Sequence, residues 1–90
     1  MNNTVYLRPD AETDIAEAAV WYRKHSKKLL SSLEKITNDP CIYPVVHRHI
    51  RRVLVNRFPF GIYYQIEGYS ISVIAVMHGS RHPKRWRQRI

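Results

Sequence analysis

Hydrophobic positions in the first part of the chain indicate a strand followed by a helix. Val5–Leu7 is a short apolar run that stops before Pro9, which predicts a brief first strand. Apolar side chains then recur at intervals of three and four, which predicts an amphipathic helix over about residues 10–24. These side chains are Ala11, Ile15, Ala18, Ala19 and Tyr22. Asp10 is the expected N-cap, because its carboxylate can accept hydrogen bonds from the free amides of the first turn.

A second apolar stripe predicts another helix that ends before residue 40. Its members are Leu29, Leu30, Leu33 and Ile36. Ser26 can cap this helix, and Pro40 stops it because proline lacks an amide donor and restricts the residue before it. No glycine separates the two helices around Lys24–Ser26. One continuous, bent helix is therefore the alternative.

The second half of the chain changes to the period of two that is typical of strands. Val53 and Val55 share one face, and Phe58–Gly61 predicts a turn because it contains a proline and a glycine. The following strand alternates, with Ile62, Tyr64 and Ile66 on one side. After Gly68, residues 71–77 are apolar at nearly every position, which predicts a central strand covered on both faces.

This order of elements predicts an α+β fold. It consists of a short N-terminal strand, a two-helix hairpin and a three-stranded antiparallel meander, with the helices on one face of the sheet. The 90 residues correspond to a single domain, residues 1–90. A chain of this size buries only about 60–65 % of its unfolded surface, so we expect marginal stability and help from a partner.

Positive charge dominates the composition. The formal net charge is +8 and the isoelectric point is about 10.1. Four of the seven acidic residues lie within the first seventeen positions, and none follows Glu67. Such a field attracts nucleic acid, an anionic surface or an acidic protein, but it does not choose among them.

Several classes of protein are disfavoured by the residues present. Cys41 is the only cysteine, which excludes an internal disulfide and suits a reducing, cytoplasmic location. The chain has no apolar run of about 18 residues and no basic-then-apolar N-terminus, so neither a membrane span nor a signal peptide is expected. His47 and His49 have no acid or cysteine nearby to complete a metal site. No phosphate loop or nucleophile elbow is present, so we expect neither a metal nor a cofactor.

The last residues place basic side chains after the predicted central strand. Arg81 can hold a phosphate or an acidic side chain bidentately, or it can hydrogen-bond to loop carbonyls. Trp86 is either a lid folded back over the sheet or an exposed anchor for a partner. The remaining cations are expected to be solvated and to speed association with an acidic partner. They are Lys84, Arg85, Arg87 and Arg89.

A series of segments follows in a specific order and spacing along the whole chain. After the first strand these are Trp21–Tyr22, Asn38–Pro40, Arg51–Val55, Phe58–Tyr64, His78–Pro83, Trp86 and Arg89. Together they resemble the RelE/ParE toxin superfamily, and most closely its ParE-type branch. The resemblance implies the toxin of a type II toxin–antitoxin system, with the growth inhibition and plasmid stabilisation associated with such pairs. It also implies an acidic antitoxin partner that neutralises the toxin.

Two different targets follow from the two branches of that superfamily. ParE-type toxins poison DNA gyrase, whereas RelE-type toxins cut messenger RNA on the ribosome. Metal-free RNA cleavage needs a base, cations on the phosphate and an acid. Arg57, His78 and Arg81 are the candidates for these roles. RelE-type enzymes carry a tyrosine near the C-terminus, whereas the last tyrosine here is Tyr69, so a non-enzymatic gyrase inhibitor is favoured.

The resemblance also implies a surface for contact with the target or the antitoxin, and no sequence-specific DNA binding by the toxin alone. The candidate contact residues are Arg51, Arg52, Arg57, Arg81, Lys84, Arg85, Trp86, Arg87 and Arg89. The segment between Tyr22 and Pro40 is shorter than is usual in the superfamily. A degenerate toxin that only binds its antitoxin is therefore a third hypothesis.

Overall fold

A computed structural model describes residues 4–55, 60–79 and 83–90 of the chain, without the side chains of residues 19, 21 and 22. Five strands and three helices lie within these ranges. The strands are β1 (Thr4–Leu7), β2 (Val45–His47), β3 (Ile50–Leu54), β4 (Phe60–Glu67) and β5 (Ser70–His78). The helices are α1 (Pro9–Glu17), α2 (Ala19–Asn38) and α3 (Lys84–Arg87). None of the described helices is long and apolar enough to span a membrane.

The strands form one mixed sheet in the order β1-β5-β4-β3-β2. β1 runs parallel to β5, and the other neighbours are antiparallel. This arrangement confirms the predicted α+β fold and the meander of β3, β4 and β5. It adds two details: β1 joins the sheet beside β5, and the short β2 extends it beyond β3. β2 has only three residues, which is too few for an alternation of apolar and polar side chains to be recognised. The sequence therefore carries no clear signal for this strand.

The helix boundaries differ from those predicted. α1 begins at Pro9 with Arg8 as its N-cap, so Asp10 lies within the first turn and is not the cap. A break that was not predicted falls at Ala18, between α1 and α2. The break predicted around Lys24–Ser26 is confirmed as a kink at His25, whose φ of −126° and ψ of 21° are not helical, so Ala19–Asn38 consists of two helical pieces. Alanine is the strongest helix former, so residue type gives no sign of a break at Ala18. The end of α2 before Pro40 is confirmed.

The sheet is covered on both faces, and a separate apolar cluster fills each side. On one face α1 and α2 pack over the helix-side core, which includes Ala11, Leu29, Ile36, Val53, Ile62, Tyr64 and Val73. On the opposite face, called here the outer face, a smaller cluster contains Ile50, Tyr63, Ile74, Ala75, Met77 and Trp86. Residues 71–77 of β5 are all buried, which confirms the prediction of a central strand.

Parts of some predictions lie outside the described residues. The turn predicted at Phe58–Gly61 is described only from Phe60 onward. The side chain of Tyr22, which belongs to the apolar stripe predicted for the first helix, is likewise outside the described part of the chain, and so is that of Trp21.

Candidate functional site

The C-terminal tail, residues 83–90, is held to the body of the protein by a bidentate ion pair. Arg89 donates two hydrogen bonds to the carboxylate of Asp14, with Nη1–Oδ2 at 2.6 Å and Nη2–Oδ1 at 2.9 Å. Asp14 lies on α1 and is 8 % exposed. Hydrogen bonding to Asp14 raises the pKa of Arg89 further above its usual value. A planar guanidinium matches both carboxylate oxygens, so this contact fixes the orientation of the tail.

The Asp14–Arg89 pair also completes the edge of β5 where β1 ends. The last bond of that edge runs from the amide of Arg8 to the carbonyl of Val73 at 3.0 Å. Beyond it, the amide of Val76 donates to Asp14 Oδ2 at 2.9 Å, and Arg89 Nη1 donates to the carbonyl of Ile74 at 3.1 Å. The side chains of Asp14 and Arg89 therefore make the hydrogen bonds that a neighbouring strand would make with β5 here. Buried backbone groups need such partners.

Trp86 closes the outer face of the sheet. It is 4 % exposed and stacks on Tyr63, with ring centroids 4.7 Å apart and an interplanar angle of 25°. His47 of β2 meets its edge, with centroids 5.8 Å apart. An aromatic stack of this kind buries a large apolar area and favours a defined geometry. The four-residue helix α3 is thereby anchored by its one buried side chain.

Two positive charges, those of Arg87 and Arg48, act on the side chains of Trp86 and His47. The guanidinium of Arg87 lies 5.4 Å from the centre of the Trp86 ring. Desolvation, followed by the charges of Arg87 and Arg48, lowers the pKa of His47 below 6.5. The neutral form of His47 is thereby favoured, since protonation would add a third positive charge beside Arg87 and Arg48.

A polar cluster lies on the outer face near the N-terminal end of β5. The hydroxyl of Tyr6 donates to Glu67 Oε1 at 2.8 Å, and Arg8 Nε donates to the buried Ser72 hydroxyl at 2.7 Å. The Tyr6 hydrogen bond, and to a smaller degree the charge of Arg8, lowers the pKa of Glu67. The carboxylate of Glu67 therefore stays ionised and is a weak proton acceptor.

Comparisons with known proteins identify this arrangement of strands and helices. The model of the family described as the ParE toxin of the parDE type II toxin–antitoxin system matches residues 5–83. The chain belongs to the ParE toxin family. A solved structure described as the chromosomal ParDE toxin–antitoxin system from P. aeruginosa is similar in fold, with a TM-score of 0.62 and 15 % sequence identity. The match covers 84 % of this chain and 95 % of that chain. A search of curated protein sequences found no match.

Family membership confirms the resemblance to the ParE-type branch and assigns the chain as the toxin component of a type II system. Among the described residues, the predicted contact residues of this toxin lie on both faces of the sheet and on the tail. Arg51 donates from Nη1 to the carbonyls of Cys41 and Tyr43 at 2.9 and 2.6 Å, so it holds the loop before β2. Arg52 lies on the outer face opposite Tyr63. Arg57 and Arg81 are outside the described residues.

The tail of the toxin corrects the prediction for Arg89 and decides between the two alternatives for Trp86. Arg89 is not solvated, because Asp14 binds it and its side chain is only 17 % exposed. Trp86 is buried on the outer face, so it is the lid over the sheet and not an exposed anchor. Arg85 and Arg87 are exposed as expected, and so is Lys84.

His78, the candidate proton-transfer residue, ends β5 and is half-buried against Phe60, with ring centroids 5.5 Å apart. It lines a shallow cleft of about 80 Å³ together with Asp14 and Arg85. Within the described ranges, no three His, Cys, Asp or Glu side chains converge to hold a metal ion.

Asp14 is the functional residue that the sequence analysis missed. Its position carried a signal, because it falls between Ala11 and Ala18 on the apolar side of α1. An acid on an apolar stripe requires a partner when it is buried. That partner, Arg89, lies 75 positions away. No local pattern could have identified it.

Proposed function

We propose that this toxin inhibits DNA gyrase by binding, without a catalytic step of its own, and that an acidic antitoxin neutralises it. The toxin's membership of the ParE family is the starting point. The observation that carries the proposal is the anchored tail: Trp86 and Arg89 fix its position, while Arg85 and Arg87 are exposed. Cations on a rigid frame lose little entropy on binding, so they suit a protein contact.

Two of the described titratable residues, Glu67 and His47, are poorly suited to RNA cleavage. Cleavage needs a side chain that accepts a proton near neutral pH. Glu67 has a lowered pKa and is hydrogen-bonded to Tyr6. His47 packs against Trp86, so it is not free to approach a ribose hydroxyl. The ribonuclease hypothesis therefore depends on His78, which is half-buried against Phe60.

An acidic antitoxin accounts for the net charge of +8. Opposite charges speed association, and a ligand that binds only the folded toxin must raise its stability. We place this pair in the cytoplasm, where gyrase and its DNA are found. If the toxin melts at the same temperature with and without its antitoxin, the neutralisation proposal fails.

The decisive experiment adds purified toxin separately to a gyrase supercoiling assay and to a translating ribosome. We expect inhibited supercoiling and intact messenger RNA. The double variant Arg85→Ala/Arg87→Ala should weaken inhibition about tenfold, as expected for the loss of charged contacts at an interface. The control Lys24→Ala/Lys27→Ala removes the same charge from α2 and should change inhibition less than twofold.

Three results would contradict the proposal. Cleaved messenger RNA with unaffected supercoiling would identify a RelE-type ribonuclease. Inactivity in both assays, with antitoxin binding intact, would identify a degenerate toxin. Equal loss of inhibition in both double variants would show that net charge, and not the tail surface, makes the contact.

A further inference from the structure

A cavity lies along the second helical piece of α2, after the kink at His25. It has a volume of about 270 Å³. The described residues that line it are Lys27, Lys28, Ser31, Ser32 and Lys35. The three lysines are exposed and none of the described lining residues is acidic, so the cavity is positively charged. An anion is therefore the kind of ligand that it attracts.

Ser32 is the buried member of this lining. It is 5 % exposed, and its hydroxyl makes no hydrogen bond with any residue that the structure describes. Other helical hydroxyls bond within their own helix. Thr13 donates to the carbonyl of Pro9 at 3.1 Å. Thr37 donates to the carbonyl of Leu33 at 2.9 Å. A buried polar group without a partner is costly, so the Ser32 hydroxyl marks a place where a ligand would supply one.

Two lysines flank Ser32 on the surface of the helix. Lys28 precedes it by four positions, and Lys35 follows it by three. Residues three and four positions apart are neighbours on an α-helix. Both ammonium groups can therefore reach an anion that is bound to the Ser32 hydroxyl. One hydroxyl and two ammonium groups offer their hydrogen-bond donors from different directions.

This set of donors favours a phosphate over a carboxylate. A carboxylate is planar and is matched best by the forked guanidinium of arginine, whereas lysine binds phosphate as a point charge. No arginine is among the described lining residues. A terminal phosphate group carries a charge of about −1.5 to −2 at pH 7 and has three strong acceptor oxygens. It can therefore satisfy the serine and both flanking lysines at once.

We infer that this cavity binds a terminal phosphate group, which accepts hydrogen bonds from the hydroxyl of Ser32 and from the ammonium groups of Lys28 and Lys35. A phosphodiester in a nucleic acid has two free oxygens and a single charge, so it would satisfy fewer of these donors. The site lies outside the C-terminal tail, and the inference does not depend on gyrase being the target. A simpler interpretation is that the lysines form a solvated helix face and that Ser32 only fills space beside the core.

The test follows the backbone amide signals of the toxin by NMR while a probe is added at constant ionic strength. Inorganic phosphate is the first probe, and adenosine 5′-monophosphate carries the same group as an ester. Adenosine lacks the phosphate, and a short single-stranded oligonucleotide without terminal phosphates carries only phosphodiesters. We expect at least one of the two terminal phosphates to shift the signals of residues 27–35 saturably, and adenosine to leave them unchanged. The oligonucleotide should bind at least tenfold more weakly per phosphate.

Ser32→Ala separates a binding role from a structural one. Alanine removes an unpaired hydroxyl and favours the helix, so the melting temperature without ligand should rise. Phosphate binding should weaken about tenfold or more, as expected for the loss of a hydrogen bond to a charged group. Lys35→Ala should weaken it about threefold to fivefold, the usual effect of one exposed charge. Lys24→Ala removes a charge of α2 that is not part of the described lining and should change binding less than twofold.

Several results would overturn the inference. Failure of both phosphates to bind would show that the lysines only form a solvated helix face. Equal weakening by Lys24→Ala and Lys35→Ala would show that net charge alone attracts the anion. Tighter binding of the oligonucleotide than of either phosphate would identify a nucleic-acid surface. A lower melting temperature of Ser32→Ala, with phosphate binding unchanged, would show that the serine is purely structural.

Discussion

The two faces of the sheet are closed in different ways, and adjacent residues of β4 show the contrast. Tyr64 faces the helices, is fully buried, and donates its hydroxyl to the carbonyl of Pro40 at 2.6 Å. Tyr63 faces the other way and is covered by Trp86. Many residues of α1 and α2 cover the helix side of the sheet. On the outer face, α3 is held by the Trp86 side chain and by the ion pair between Arg89 and Asp14. Stability on the outer face is therefore concentrated in a few contacts.

Trp86→Ala should have the largest effect, because it removes the buried side chain that anchors α3. We expect a loss of about 3–5 kcal/mol in the free energy of unfolding, as for other large-to-alanine changes in cores. Urea unfolding measures this loss. Trp86→Phe keeps an aromatic ring on Tyr63 and should restore more than half of it. A loss below about 1 kcal/mol for the alanine variant would mean that α3 is a dispensable cover.

Asp14→Asn should come next, because it removes the bidentate, buried counter-charge of Arg89 and leaves only the exposed carboxylate of Asp10 beside the guanidinium. We expect a loss of about 2 kcal/mol, less than for a fully buried pair because Arg89 retains some contact with water. Asp10→Asn is the matched control. Asp10 lies 3.9 Å from Arg89 Nε but is 66 % exposed. Its loss should be about 0.5 kcal/mol or less.

A double-mutant cycle between Asp14→Asn and Arg89→Gln tests whether the two side chains act as a unit. We expect the combined loss to fall short of the sum by about 1 kcal/mol or more. Additive losses would show that each residue acts separately on the backbone of β5.

Tyr64→Phe probes the helix side and should cost about 1 kcal/mol, the usual net value of one hydrogen bond. Burial raises the pKa of Tyr64 to about 12. Because the folded state holds this proton more tightly than the unfolded state, its contribution is complete below pH 10 and is lost as the pH rises from 10 to 12. The wild-type protein should lose stability over that range more steeply than Tyr64→Phe. Tyr69→Phe changes a tyrosine that is 81 % exposed and should leave the slope unchanged.

Sequence patterns predicted those parts of the molecule that depend on local spacing. The run from 71 to 77 indicated a strand buried on both faces, and Pro40 marked the end of α2. The break at Ala18 and the burial of Arg89 had no such signal. The burial of Arg89 depends on contacts between residues far apart in sequence, because Asp14 binds β5 and the tail at once and neither partner is its neighbour. The basic residues near the C-terminus were predicted to be solvated because they are charged. Arg89 differs from the others because it binds the carboxylate of Asp14.

Gly61→Ala tests the smallest contact on the outer face. A Cβ at this position would lie 3.2 Å from Cδ of Arg52 and 3.4 Å from the ring of Tyr63. We expect a loss of about 0.5 kcal/mol, because the stem of Arg52 can shift by a few tenths of an ångström while the stacked Tyr63 cannot. Combining it with Arg52→Ala removes the closest atoms, so Gly61→Ala should then be neutral or stabilising. If its cost is the same in both backgrounds, the crowding comes from Tyr63, and Arg52 has no part in fixing this face of β4.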